Sequence, residues 1–132
     1  MERGAETGKM DNFREDMLKK TQGLGLKAVK IASEIPDTAA GRYAGEQLVR
    51  LAASVGIVYR TASRGKPKDE YLSDLKTVVE NTDTTKFWLE LIKESGLYSS
   101  AKLDELMKES GIIAAIFVKT LKSMREKERK NQ

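Results

Sequence analysis

Apolar residues recur every three or four positions along this chain, in four stretches separated by short breaks. Met17, Leu24, Ala28 and Ile31 follow one another at spacings of seven, four and three, which puts them on one face of a helix. The pattern predicts a first helix from about Asn12 to Glu34, with Asn12 and Glu15 as a cap pair. Gly23 and Gly25 are its weak point, each costing up to about 1 kcal/mol against alanine in a helix interior. Pro36 ends it, since the residue before a proline avoids the helical region. A second helix, 41–64, carries Ala44, Leu48, Leu51, Val55, Val58 and Ala62, and Ser63-Arg64-Gly65-Lys66-Pro67 breaks it. A third, 67–95, carries Tyr71, Leu75, Val78, Thr82, Thr85, Leu89 and Ile92, with Asp69 and Glu70 placed to oppose the helix dipole. Its middle, Asn81 to Thr85, has poor helix propensity and must be held by tertiary packing. A fourth, 100–128, carries Leu103, Leu106, Ile113, Phe117, Leu121 and Met124. No alternating strand pattern competes. Long helices with short connections make antiparallel neighbours, so the fold class is all-α, an up-down-up-down four-helix bundle.

The domain spans 11–128. Residues 1–10 are polar, glycine-containing and aperiodic, and read as a disordered N-terminal extension; 129–132 form a basic tail. Two features point beyond a single bundle. Ile112 to Val118 is apolar around the whole helix circumference, whereas a surface helix should show one stripe. Ile112, Ile116 and Val118 are therefore candidates for contact with another chain. On the second helix, Ala53 and Gly56 lie in a stripe of small side chains that admits a close backbone, either within the chain or between subunits.

Composition narrows the chemistry. Among 132 residues there is no histidine and no cysteine, so the commonest general base, thiolate chemistry and disulfides are all missing. No nucleophile–base pair can be named, and the acidic run of the third helix lacks the dense oxygen spacing of a calcium loop. The expectation is a protein that is not an enzyme and takes no metal or cofactor. The longest apolar run is too short to span a bilayer and no charged-then-apolar leader opens the chain, which makes a cytoplasmic location the default.

Charge is segregated. Residues 47–68 contain five basic side chains and no carboxylate, while 69–94 carry seven carboxylates against three lysines. Arg50, Arg60, Arg64, Lys66 and Lys68 form the main candidate patch for a polyanion; Lys119 and Lys122, with Arg125, Lys127, Arg129 and Lys130, form a second. Such groups hold phosphates by charge and counterion release, with little base discrimination. No aromatic residues interleave with either patch, so stacking on bases has no platform. The competing reading pairs these cations with Asp69, Asp74 or Glu80 of the third helix.

Three stretches resemble a known family. Gln47-Leu48-Val49-Arg50, Ser54-Val55-Gly56, Tyr59-Arg60 and Ala62 resemble the second-helix signature of bacterial four-helix bundle proteins first noticed in intervening sequences of 23S ribosomal RNA genes and once called ribosomal protein S23. Asp69-Glu70-Tyr71 with Phe87-Trp88-Leu89-Glu90-Leu91 is similar to the third-helix signature, and Ile116-Phe117-Val118-Lys119-Thr120-Leu121-Lys122 to the closing helix. The relatives include accessory variability determinants of diversity-generating retroelements. The resemblance, over residues 16–124, implies a homopentameric barrel with a basic surface or channel, and in the retroelement relatives one that binds reverse transcriptase and nucleic acid. The chain departs from the family at Val58, Thr61, Pro67, Asn81 and Thr84; the family carries glutamates where Thr61, Asn81 and Thr84 stand, and their loss leaves Arg60 and Arg64 without evident partners, which either frees them for an anion or marks altered packing.

The sequence thus leads to two expectations. One is an oligomeric accessory protein binding the backbone of RNA or DNA, with a reverse transcriptase as a candidate partner. The other is an oligomeric protein-interaction scaffold with no nucleic-acid role.

Overall fold

The computed structural model describes residues 2–131, and the side-chain surroundings of residues 1–7, 9, 10 and 132 lie outside that description. The chain forms α1 (Glu2–Glu34), α2 (Ala39–Ala62), α3 (Lys68–Glu94) and α4 (Ala101–Lys130), with no strand among the described residues.

Local chemistry sets the boundaries. Thr38 caps α2, its hydroxyl accepting from the Gly41 amide at 3.0 Å, so the helix starts two residues before the expected Gly41. Ser100 caps α4 in the same way through the Leu103 amide at 3.1 Å. Gly65 and Gly96, with φ of 84° and 79°, supply the left-handed turns that follow α2 and α3. Asn12 and Glu15 do not cap anything: α1 runs through them, and residues 2–10, expected as a disordered extension, continue the helix. α4 likewise takes in Arg129 and Lys130 of the expected tail.

The predicted seams meet in one core. Met17, Leu24, Ala28 and Ile31 of α1 are buried against Leu48 and Val55 of α2, Leu75, Val78, Leu89 and Ile92 of α3, and Leu103, Leu106, Ile113 and Phe117 of α4. Val58, Tyr71 and Met124 pack at its edge. Tyr59, absent from the expected seam, is buried, its ring 5.0 Å from that of Phe117. Thr21, Thr82, Thr85 and Ser110, the buried polar side chains among the described residues, each donate a hydroxyl to the carbonyl four residues back, at 2.6–2.8 Å. A hydroxyl satisfied inside its own helix offsets most of the cost of leaving water, which lets Thr82 and Thr85 face the core from the Asn81–Thr85 stretch. Trp88 meets Tyr43 edge-on at 5.8 Å, a packing role joining α3 to α2.

Consecutive helices pack side by side, and α4 returns to α1 more loosely. The α1–α2 approach is close: an added Cβ at Gly25 would lie 3.6 Å from Ala53 Cα, and one at Gly56 would lie 3.4 Å from the Thr21 carbonyl oxygen. Asn81 of α3 donates to Ser54 of α2 at 3.0 Å. Lys93–Asp104 ties α3 to α4 at 2.8 Å, while Lys27–Glu109 and Lys102–Glu34 tie α1 to α4 at 2.5 and 3.1 Å. These antiparallel registers bring the start of α1, the end of α2, the start of α3 and the end of α4 to the same end of the bundle.

Candidate nucleic-acid interface

That shared end is where most of the basic candidates lie. Arg60 and Arg64, one turn apart on α2, are exposed and belong to no ion pair among the described residues. Lys68 opens α3, and Lys119 and Lys122 are exposed on the last part of α4. The two basic stretches, more than 50 residues apart in the chain, therefore meet through topology. Acids share this end: Asp69 and Glu70 in the first turn of α3, Asp74 paired with Lys66, Asp11 paired with Arg14, and Glu126 and Glu128 late in α4.

Two candidates separate from the group. Lys66 is paired with Asp74 at 2.7 Å, both side chains about one-third exposed or less, which holds the turn between α2 and α3. Pairing with a third-helix acid is thus the outcome for Lys66. Arg50 donates to Gln47 Oε1 at 2.7 Å and sits about 15 Å along α2 from Arg60, at 1.5 Å per residue.

Arg14 of α1 was not among the expected residues. The register that sets Gly25 against Ala53 and Thr21 against Gly56 brings Arg14 to Ser63 and Arg64, where all three line the end of one groove. It also pairs with Asp11 at 3.2 Å. The close pairing of small residues on α1 and α2 is the signal that could have placed it.

The groove runs between α1 and α2 and has a volume of about 1060 Å³. Its floor is built where Gly25, Ala53 and Gly56 let the two helices approach, so the small-residue stripe serves packing within the chain. Leu26, Val29 and Ile57 rise along it, exposed by 58%, 53% and 65%. Ile112 and Val118 are also exposed, on α4, while Ile116 is half-buried against the core. Exposed apolar side chains thus occur on all four helices: Leu26 and Val29 on α1, Tyr43 and Ile57 on α2, Phe87 and Leu91 on α3, Ile112 and Val118 on α4.

Burial, and then the neighbouring Tyr71, pushes the Tyr59 phenol up from its ordinary value, and burial pushes Tyr71 up as well, so both stay protonated near neutral pH. Glu34, held by hydrogen bonds from Tyr98 and then Lys102, is shifted down, an exposed tie between α1 and the start of α4. Among the described residues no group of three or more acidic side chains is arranged to hold a metal ion, and no helix is long and apolar enough to cross a membrane.

No family model matches the chain, and no curated protein matches it. Among solved structures it resembles a protein of unknown function from the S23 ribosomal protein family of Bacteroides thetaiotaomicron, with a TM-score of 0.75 and 16% identity, over 83% of this chain and 97% of that one. At that identity the likeness establishes the fold, and the four-helix bundle is one that an S23-family protein also adopts.

Proposed function

We propose that this chain is a non-catalytic, self-associating accessory protein that binds the phosphate backbone of RNA or DNA at the basic end of its bundle. The observation supporting this reading is the gathering of Arg14, Arg60, Arg64, Lys68, Lys119 and Lys122 at one end, with Arg60 and Arg64 free of carboxylate partners among the described residues. Cations without local partners gain most from a polyanion, because binding releases its condensed counterions. Repetition of the patch around an assembly would turn modest single-site affinity into avidity. The pentameric ring and a reverse-transcriptase partner rest on the sequence resemblance to the retroelement accessory proteins and are part of this proposal.

Fluorescence anisotropy of labelled RNA and DNA oligonucleotides across a salt series tests the reading. Binding should weaken steeply with salt and fall on charge reversal of the basic end. Absence of binding at low salt would leave the second reading, an oligomeric protein-interaction scaffold. That alternative is favoured by the apolar side chains exposed on every helix, and it requires partner binding that survives nuclease treatment.

A further inference from the structure

The groove between α1 and α2 is amphipathic in a definite order. Arg64 and Arg60 stand at one end, Ile57 comes one turn further along α2, and Leu26 and Val29 of α1 continue beyond it. A phosphate backbone satisfies the arginines and leaves the apolar walls in water. The occupant that suits the whole groove is a helix with carboxylates at one end of an apolar stripe.

This chain carries such a helix face. On α3, Glu80, Asp83, Phe87, Leu91 and Glu94 fall within about 40° of one direction, at 100° per residue. Phe87 and Leu91 are exposed by 56% and 43%. Glu80, Asp83 and Glu94 are exposed and belong to no ion pair among the described residues. The face reads acid, acid, apolar, apolar and then acid again at Glu94 in the N-to-C direction of α3. From its arginine end the groove reads base, base, apolar, apolar in the N-to-C direction of α1. The first four side chains of the face match the groove in sign and order when α3 of one copy runs parallel to α1 of the next.

We propose that the occupant of the α1–α2 groove is α3 of a second copy of this chain, with Glu80 and Asp83 meeting Arg60 and Arg64, and Phe87 and Leu91 covering Ile57, Leu26 and Val29. This deepens the self-associating part of the proposed function by naming both halves of the contact. Groove and face are different surfaces, so the contact is heterologous and propagates from copy to copy until a rotation closes it. Parallel alignment fits a closing rotation, because no copy is inverted. In this contact Arg60 and Arg64 serve the neighbour's carboxylates, and the phosphate-facing part of the basic end falls to Lys68, Lys119 and Lys122.

The test uses two double variants, Arg60→Glu/Arg64→Glu and Glu80→Lys/Asp83→Lys, with mass measured by size exclusion and light scattering and folding checked by circular dichroism. The wild type should run as a multiple of the chain mass. Each variant alone should fall to smaller species, its dissociation constant raised at least about tenfold by like charges facing each other. An equimolar mixture should form species larger than either variant alone, in open chains or even-numbered rings where the two alternate, since the acidic groove of one variant accepts the basic face of the other. A monomeric wild type, a variant that keeps the wild-type mass, or a mixture no larger than its components would each overturn the contact. Anisotropy with RNA on Lys119→Glu/Lys122→Glu, at unchanged mass, reports on the phosphate surface separately: undiminished binding there removes α4 from that surface and leaves the contact standing.

Discussion

Gly41 has no room for a side chain, because a Cβ there would fall on the Pro36 carbonyl oxygen, with Ile35 and Thr38 also in contact. The turn that ends α1 and starts α2 is folded against this glycine. Gly41→Ala should therefore lower stability by about 1–3 kcal/mol, as overpacking against backbone does, read as a shift in urea midpoint without a change in slope. Tyr59 presents a different constraint, a phenol buried beside Phe117. Burial, followed by Tyr71, raises its pKa above the ordinary 10.0. The unfolded phenol loses its proton near that ordinary value while the folded one keeps it. The stabilisation is thus complete below about pH 10 and is lost as pH rises toward the raised folded value. Urea midpoints should decline across this alkaline range, and the decline should be shallower in Tyr59→Phe.

The helices show what periodicity can and cannot reveal. The four seams are legible because burial follows a 3.6-residue repeat, and Met17, Leu48, Leu89 and Phe117 lie in the core as that repeat requires. Thr82 and Thr85 also fit the repeat despite their polarity, since backbone carbonyls take up their hydroxyls. The start of α1 is not legible: residues 2–10 carry no repeat, so nothing in them marks a continuing helix. The caps at Thr38 and Ser100 depend on backbone placement, which shifts two boundaries by a residue or two. Within the candidate site, Arg60, Arg64, Lys119 and Lys122 are visible as charge runs. The partner of Lys66 and the company of Arg14 need the helix register. Two substitutions separate propensity from contact at this scale. Gly23 has nothing within 4 Å of an added Cβ, so Gly23→Ala should stabilise the bundle by up to about 1 kcal/mol in a thermal or urea melt. Asn81→Ala removes the amide that bridges to Ser54 on α2, and should cost about 1 kcal/mol despite alanine's better helix propensity.

For the molecule as a whole, topology converts an unremarkable net charge of +4 into a polarised object. Up-down connectivity stacks the ends of α2 and α4 beside the starts of α1 and α3, and these segments carry Arg14, Arg60, Arg64, Lys68, Lys119 and Lys122. The segments at the opposite end mix signs: Glu34 pairs with Lys102, Asp37 with Arg42 and Asp104 with Lys93, beside Glu46, Glu94 and Glu105. A polyanion approaching the bundle therefore meets its attraction at the basic end, and long-range steering of this kind fades within a Debye length of about 8 Å at physiological salt. Lys119 and Lys122 provide the cleanest probe, because both are exposed, belong to no ion pair among the described residues and lie on a different helix from the groove arginines. Replacing both by alanine removes charge without adding repulsion. If each lysine holds one phosphate, the slope of log affinity against log salt should become shallower by about 0.7–0.9 for each phosphate no longer held, the smaller value belonging to single strands. A slope that stays at the wild-type value would mean that phosphates are held elsewhere on the molecule. A shallower slope with the assembly mass unchanged would place the nucleic acid on α4, at the end of the bundle, and leave α1, α2 and α3 available for contact between subunits.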